Sequence, residues 1–94
     1  MVRKRSRMEI ISDMLGVILQ KGGKIKPTHL MYKANLSHKQ MQGYLDELEK
    51  KKLVAKNDNE KESKEKISIQ ITPIGRQFLY KYSEMKEFEK TFGL

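Results

Sequence analysis

The sequence has no cysteine and no long apolar run. Without cysteine it has neither a disulfide framework nor a thiolate metal site, so a hydrophobic core, with or without a partner subunit, must supply the stability. No apolar stretch approaches the ~20 residues of a membrane-spanning helix. The initial stretch MVRKRSRMEII also lacks the apolar core and cleavage site of a signal peptide. We therefore expect a cytoplasmic protein with no membrane partner.

The sequence also lacks the residue patterns of an enzyme or a metal site. Its two histidines, His29 and His38, are too far apart for a local metal motif, and neither a third ligand nor an HExxH motif accompanies them. Gly22-Gly23 is better explained as the end of a helix than as a phosphate-binding loop. No serine, histidine and aspartate set indicates a nucleophile. We therefore expect no enzymatic activity, no metal, no cofactor and no small-molecule substrate.

Positive charge is abundant and unevenly distributed. The 94 residues carry 20 Lys and Arg against 12 Asp and Glu, a formal net charge of +8. The excess is greatest in residues 1–26, above all at Arg3, Lys4, Arg5 and Arg7. Such a surface attracts polyanions, either nucleic acid or an anionic membrane face. A chain of this length supports one core, so we expect one compact unit.

The first third of the sequence predicts two helices separated by a short strand. Ser6 and Glu9 have the spacing of a capping box, and Gly22-Gly23 marks the helix end. Between them the apolar residues recur at intervals of three and four: Met8, Ile11, Met14, Leu15 and Ile18. Residues 24–26 are a candidate strand. Pro27 then begins a helix over residues 28–34, with Leu30 and Met31 inward.

A tight turn at Asn35-Leu36-Ser37 separates the second helix from a third. Asn tolerates the left-handed conformation at a helix end, and Ser37 with Gln40 repeats the capping-box spacing. At about 100° per residue, the third helix has one apolar and one polar face. The inward residues are Met41, Tyr44, Leu45 and Leu48, and the outward residues are Lys39, Gly43, Asp46 and Lys50.

The second half of the sequence predicts a hairpin and a long helix. Residues 53–56 and 66–71 are candidate strands joined by a charged tip, and Ile67, Ile69 and Ile71 alternate onto one face. Thr72-Pro73 caps the last helix. Its apolar residues have a heptad-like spacing that Lys81 interrupts: Ile71, Ile74, Phe78, Met85, Phe88 and Phe92, with Tyr82 beside them.

Two short helices joined by a tight turn and followed by a hairpin are typical of a winged helix-turn-helix, whose second helix enters the DNA major groove. We therefore predict a mainly α (α+β) fold with a β-hairpin wing. Residues 1–72 would form the DNA-binding domain and residues 73–94 the long dimerisation helix.

The first turns of the predicted recognition helix offer polar groups to DNA: Ser37, His38, Lys39, Gln40, Gln42 and Gly43. Gln can bond bidentately to adenine, and Lys can reach guanine or phosphate. Because phosphates would repel Asp46, Glu47 and Glu49, we expect the helix to insert by its N-terminal end. The alternative is an ordinary amphipathic helix in a helical domain.

Two further basic segments are candidate DNA contacts. Arg3, Lys4, Arg5 and Arg7 are either an arm for phosphate or the minor groove, or a solvated terminus. The wing tip balances its lysines with acids, so it is either a solvated loop or a weak contact. The candidate contacts at the tip are Lys61 and Lys64.

The last helix carries more apolar surface than a small core covers. About three heptads of isolated helix are marginal in water. We therefore expect a homodimer with two recognition helices, unless the helix folds back on its own domain. The predicted dimer contacts are Ile74, Phe78, Tyr82, Met85, Phe88 and Phe92.

The stretches MYKANLSHKQMQGYLDEL (31–48) and ITPIGRQFLYKY (71–82) resemble a small archaeal winged-helix DNA-binding family. Members of that family dimerise through an antiparallel coiled coil of their last helices. The residues that carry the resemblance most specifically are Asn35-Leu36-Ser37, Tyr44-Leu45, Thr72, Gly75, Arg76, Phe78 and Leu79. It implies binding of double-stranded DNA as a homodimer, in roles from chromosomal architecture to transcription control. Lys52 stands where the family usually has Gly, which predicts a less tight helix exit, and the long, charge-balanced wing also departs from the pattern.

Together these features favour a homodimeric, nucleoid-associated protein that binds double-stranded DNA. Its binding would be sequence-tolerant or sequence-specific, in a transcription regulator or a chromatin-associated protein. The alternative is a winged-helix protein–protein interaction module within a larger complex, for which an acidic or apolar wing and outer helix surface would be the signature. RNA binding is a weaker third reading, because Tyr44 and Tyr80 do not form an aromatic platform on a strand.

Overall fold

The computed structural model describes residues 5–58 and 67–94. Along these residues the elements are α1 (Arg7–Gln20), β1 (Lys24–Ile25), α2 (Pro27–Lys33), α3 (His38–Lys50), β2 (Val54–Asp58), β3 (Ile67–Ile71) and α4 (Pro73–Thr91). The order confirms the predicted mainly helical winged helix-turn-helix, in which α2 and α3 form the helix pair and β2 and β3 form the wing. No helix of the described ranges is long and apolar enough to cross a bilayer.

The helix starts predicted from sequence are present. The Ser6 hydroxyl accepts a hydrogen bond from the Glu9 amide at 3.1 Å, and the Glu9 carboxylate accepts from the Ser6 amide at 2.8 Å. Ser37 and Gln40 form the same reciprocal pair at the start of α3. These bonds satisfy amides that the first helical turn leaves unpaired, so they fix where α1 and α3 begin.

The exit from α3 is tight, contrary to our expectation from Lys52. The Leu53 amide donates to the Leu48 carbonyl at 2.8 Å, and the Lys52 amide donates to the Glu49 carbonyl at 3.0 Å. This pair of bonds is the Schellman motif, which places its central residue in the left-handed region. Lys52 adopts φ 65° there. The turn that the family usually makes with Gly is therefore retained, with the backbone strain of a lysine in that position.

The three strands form one antiparallel sheet in the order β1-β3-β2. Ile25 lies opposite Ile69, and Val54 lies opposite Ile71, so the apolar sides of the strands meet the helices. Ile69 and Ile71 are buried as predicted, whereas Ile67 is 45% exposed. Ile67 pairs with Asp58 at the wing end of the ladder, where the core no longer covers it. Met8, in the first turn of α1, is likewise exposed rather than inward.

The core joins α1, α2, α3 and the sheet into one cluster. Its buried residues are Ile10, Ile11, Met14, Leu15, Ile18, Ile25, Leu30, Ala34, Leu36, Met41, Leu45, Leu48, Leu53, Val54, Ile69 and Ile71. Leu36 lies in the turn between α2 and α3, and its burial anchors that turn. The angle between the two helices is therefore set by the core as well as by the helix caps.

The start of α4 is fastened to the junction between α3 and β2. The Thr72 hydroxyl caps α4 by accepting from the Gly75 amide at 3.0 Å, and it donates to the Lys52 carbonyl at 2.7 Å. A Cβ at Gly75 would collide with the Leu53 carbonyl oxygen, so only glycine permits this approach. These contacts give a structural reason for Thr72 and Gly75, two of the residues that carry the sequence resemblance.

Candidate nucleic-acid interface

Helix α3 has a buried apolar inner face and a polar outer face. Met41, Leu45 and Leu48 are each 1% exposed, and Tyr44 is half-buried against the same core. This inner face leaves one line of exposed positions on the opposite side: Lys39, Gly43, Asp46 and Lys50. Both faces agree with the helical periodicity. Lys39 and Gly43, in the first two turns, make the start of this line basic and sterically open.

The side chains of the two glutamines of α3 differ in the hydrogen bonds that they form. The Gln40 carbonyl oxygen accepts from the Ser37 amide at 3.0 Å in the capping box, so it is already occupied. Gln42 is exposed, and its amide group has no hydrogen bond within the described residues. Bidentate bonding to adenine requires both the oxygen and the nitrogen of the amide group. Gln42 therefore has both amide groups available for such bonding, whereas the Gln40 oxygen already accepts one hydrogen bond within the helix cap.

The exposed line of α3 lies between two depressions. A groove of about 260 Å³ separates α3 from the wing, and His38 and Gln42 line it together with Thr28 from α2 and Lys56 from β2. Its floor is apolar. A shallower cleft on the other side lies between α3 and the start of α1, and its lining residues are Arg7, Lys39, Gln40, Gly43, Tyr44 and Glu47. The first turns of α3 thus stand clear of the neighbouring elements on both sides.

Cations from two other elements pair with the acids on the flanks of α3. Arg7 of α1 forms an ion pair with Glu47, and Lys56 of β2 lies 3.6 Å from Glu49. These pairs reduce the negative field that was expected to keep phosphate away from the second half of the helix. Asp46 makes no ion pair with any residue of 5–58 or 67–94. Among the residues that the structure describes, Asp46 is therefore the one acid of α3 without an ion pair.

These ion pairs could not be predicted from the sequence, because their members are far apart along the chain. Arg7 precedes Glu47 by a helix, a strand and a second helix, and nothing in local spacing relates them. Exposed ion pairs of this kind contribute only about 0–1 kcal/mol to folding. Their larger effect is on the charge that α3 presents outward.

Arg5 is held within the domain. Its guanidinium pairs with Asp13 at 2.9 Å and donates to the Asn35 carbonyl at 3.1 Å. The second bond joins the start of α1 to the turn between α2 and α3. Arg5 therefore supports the helix pair directly, and Arg7 lies inside α1, so neither is part of a free arm. Arg3 and Lys4 of the predicted arm, and Lys61 and Lys64 of the predicted wing tip, lie outside the described residues.

Helix α4 leaves most of its predicted dimer contacts uncovered. Phe78 is half-buried against the core of its own domain, and Tyr82 is half-buried with its ring stacked on that of Phe78 at a centroid separation of 6.1 Å. The other predicted contacts are at least 45% exposed: Ile74, Met85, Phe88 and Phe92. The helix does not fold back far enough to cover them, and from residue 83 onward every residue except Glu89 is exposed.

The sequence matches one protein-family model over nearly its whole length. A family model described as winged helix-turn-helix matches residues 4–90. The chain belongs to the winged helix-turn-helix family. This match agrees with the helix pair and wing of the structure, and it confirms the fold to which the sequence resemblance pointed. No curated protein matches the chain.

Solved structures with the same fold include an archaeal DNA-binding protein. Sso10a-2, a DNA-binding protein from Sulfolobus solfataricus, is 23% identical with a TM-score of 0.76, and the match covers 94% of this winged-helix chain and 85% of that one. The transcriptional regulator BldR from the same organism is 20% identical (TM-score 0.71, 89% of this chain, 60% of that one). MepR, a transcription regulator of the Staphylococcus aureus multidrug efflux pump MepA, is 19% identical (TM-score 0.70, 88% and 61%). The chain thus spans about three fifths of the length of the two regulators.

Proposed function

We propose that this winged-helix protein binds double-stranded DNA as a homodimer, as a transcription regulator or a chromatin-associated protein with no catalytic role. In this proposal residues 1–72 contact DNA and residues 73–94 join the two copies. The first turns of α3 enter the major groove, Gln42 bonds to a base edge, and Lys39 contacts phosphate or guanine. In this arrangement His38 and Gly43 lie beside the major groove of the DNA.

One observation supports DNA contact above the others. The capped start of α3 exposes Lys39, Gln42 and Gly43, while Glu47 and Glu49 behind it are each paired with a cation from another element. The formal net charge of +8 has the sign that a polyanion requires. The likeness of the fold to Sso10a-2, itself a DNA-binding protein, agrees with the proposal.

A salt titration of duplex binding tests the DNA proposal. If several phosphates are neutralised, the logarithm of the binding constant falls with the logarithm of salt concentration by about 0.9 for each phosphate. Lys39→Gln should weaken binding and reduce that slope by about one, whereas Lys21→Gln, at the far end of α1, should leave it unchanged. Absence of duplex binding at low salt would overturn the proposal. It would favour the interaction-module alternative, which the unpaired Asp46 and the charge-balanced wing sequence suit better.

Competition between genomic and random fragments distinguishes a regulator from an architectural protein. A regulator should prefer particular genomic fragments by about 10³-fold or more over random sequence at physiological salt. A chromatin-associated protein should give a ratio near one, since phosphate contacts carry no sequence information. Both results are compatible with DNA binding itself, which the salt titration tests separately.

The exposed apolar face of α4 supports the homodimer. Met85, Phe88 and Phe92 extend from the domain with about half of their surface or more in solvent. A second copy would cover this face and place two recognition helices on one duplex, which multiplies the phosphate contacts.

Sedimentation of two matched lysine variants tests the homodimer. Met85→Lys with Phe88→Lys should give a monomer, because burying these charges opposes association. Tyr80→Lys changes an aromatic residue of α4 that is 64% exposed and lies off the apolar face, so that variant should remain dimeric. A dimer that survives the paired substitution would place the interface elsewhere.

A further inference from the structure

The groove between α3 and the wing has an apolar floor that the domain leaves partly open to solvent. The floor residues come from α2, α3 and β3 and are Met31, Met41, Leu45 and Ile69. Ile67 lies two residues from Ile69 on the same face of β3, borders the groove and is 45% exposed. A ligand that covered this isoleucine and the floor would remove apolar surface from water, which favours binding.

The dimensions of the groove restrict its ligand to a small molecule. Its volume is about 260 Å³, slightly below the roughly 300–1,000 Å³ of pockets that hold drug-sized ligands. Met31 and Met41 have flexible, polarisable side chains that adjust to the shape of an apolar group. A short alkyl chain therefore suits the floor.

The rim of the groove carries a cation from the wing and hydrogen-bonding groups from α3. Lys56 of β2 lies opposite Ile69 in the strand register, so its side chain leaves the sheet on the groove side. His38 and Gln42, one helical turn apart in α3, also line the groove. Among the described residues that line the groove there is no Asp or Glu. The rim therefore complements an anionic group and repels a cationic one.

Lys56 already has one anionic partner. Its ammonium nitrogen lies 3.6 Å from a carboxylate oxygen of Glu49, and the two side chains are 32% and 43% exposed. Such an exposed pair is weak. Glu49 is not among the described residues that line the groove, so an anion in the groove competes with it for Lys56. Binding of that anion leaves the charge of Glu49 uncompensated on the flank of α3.

We infer that the groove binds a medium-chain carboxylate, with the alkyl chain on the floor and the carboxylate at Lys56, and that this ligand excludes DNA. The exclusion has two causes. The ligand covers Gln42, which is proposed to bond to a base edge, and it places its own charge and that of Glu49 beside the phosphates. The exclusion rests on the proposed DNA binding, whereas the ligand site does not.

Methionine methyl NMR of the full chain, with octanoate as the probe, tests the ligand site. Octanoate should shift the methyl signals of Met31 and Met41. Met8 in α1 and Met85 in α4 are exposed outside the groove, so their signals should not move. Octylamine, which has the same chain with a cationic end, should bind at least about tenfold more weakly.

Three outcomes of this titration would overturn the inference. The first is the absence of shifts at Met31 and Met41. The second is an equal shift at Met85, which would indicate non-specific binding to exposed apolar surface. The third is equal affinity for octanoate and octylamine, which would show that the rim does not select an anion.

Two variants with opposite expected effects test the position of the carboxylate. Lys56→Gln should weaken octanoate binding by about tenfold or more, because the ligand loses its charged partner. Glu49→Gln removes the competing carboxylate and should strengthen binding by about two- to fivefold. Lys24→Gln makes the same charge change as Lys56→Gln on an exposed residue of β1 and should alter binding by less than about twofold. Equal effects of Lys56→Gln and Lys24→Gln would overturn the assignment of Lys56.

A duplex-binding competition tests the exclusion separately. Octanoate at a concentration that saturates the methyl shifts should weaken duplex binding by about tenfold or more. Sodium acetate at the same concentration keeps the ionic strength equal and should have little effect. Unchanged duplex affinity in saturating octanoate would show the exclusion to be wrong. If the protein binds no duplex at low salt, the proposed function fails, and the methyl shifts still decide whether the ligand site exists.

Discussion

Arg7 at the start of α1 forms an ion pair with Glu47 in the third turn of α3. The pair connects the first helix of the domain to the helix proposed to enter DNA, and it removes a negative charge from the side of that helix. Arg7 is 54% exposed and Glu47 is 28% exposed, so the pair contributes little to folding. Its main effect is on the charge that α3 would present to DNA.

We expect Arg7→Ala to weaken DNA binding, because it leaves Glu47 unpaired beside the phosphates. Arg7→Ala with Glu47→Ala should recover most of that loss. Binding titrations at one low salt concentration measure both effects, and thermal unfolding should show small changes. If the double variant binds as weakly as Arg7→Ala, then Arg7 acts by contacting DNA and its pairing with Glu47 is incidental.

Gln40→Ala and Gln42→Ala should have opposite signatures. Loss of the Gln40 bond to the Ser37 amide should destabilise the fold by about 0.5–1 kcal/mol, measured by urea unfolding, with base preference retained. Gln42→Ala should leave stability nearly unchanged and relax discrimination at one base by about 1–3 kcal/mol, measured by selection from random duplexes. Equal loss of base preference in both variants would contradict the assignment of Gln42 as the reading residue.

Gly43→Ala should stabilise the protein and weaken its DNA binding. A Cβ at Gly43 meets nothing within 4 Å, so alanine should increase helix stability by about 0.5–1 kcal/mol. The same methyl group should keep the backbone of α3 from approaching the groove. Gly16→Ala is the matched control, since Gly16 lies in α1 with equally open space around it. That variant should gain stability without losing affinity, and a similar result for Gly43→Ala would mean that α3 does not approach DNA there.

Lys52→Gly should stabilise the fold by about 0.5–1 kcal/mol. Glycine adopts the left-handed conformation of the α3 exit without the steric cost that lysine carries, and this gain exceeds the added entropy of the unfolded chain. Lys51→Gly, at φ −89°, should not stabilise the fold. Urea unfolding of the two variants makes the comparison. Equal effects at the two positions would mean that the left-handed turn is not strained.

Much of the local structure could be predicted from short-range patterns. The Ser6 and Ser37 capping boxes, the turn at Asn35 and the cap at Thr72 all lie where the sequence placed them, because each depends on residues a few positions apart. The apolar periodicity of α3 likewise gave its buried and exposed faces. The left-handed turn at Lys52 was not predicted, since the side chain there disfavours it and bonds to the preceding helix impose it.

The candidate site could be predicted only in outline for the same reason. Local patterns were enough to predict that α3 begins at a capped turn and exposes Lys39 and Gln42. The ion pairs of Glu47 with Arg7 and of Glu49 with Lys56 depend on how the elements pack, and no local pattern indicates them. Helix caps and periodicity are settled within a few residues along the chain, whereas these ion pairs exist only once the core has brought α1, α3 and β2 together.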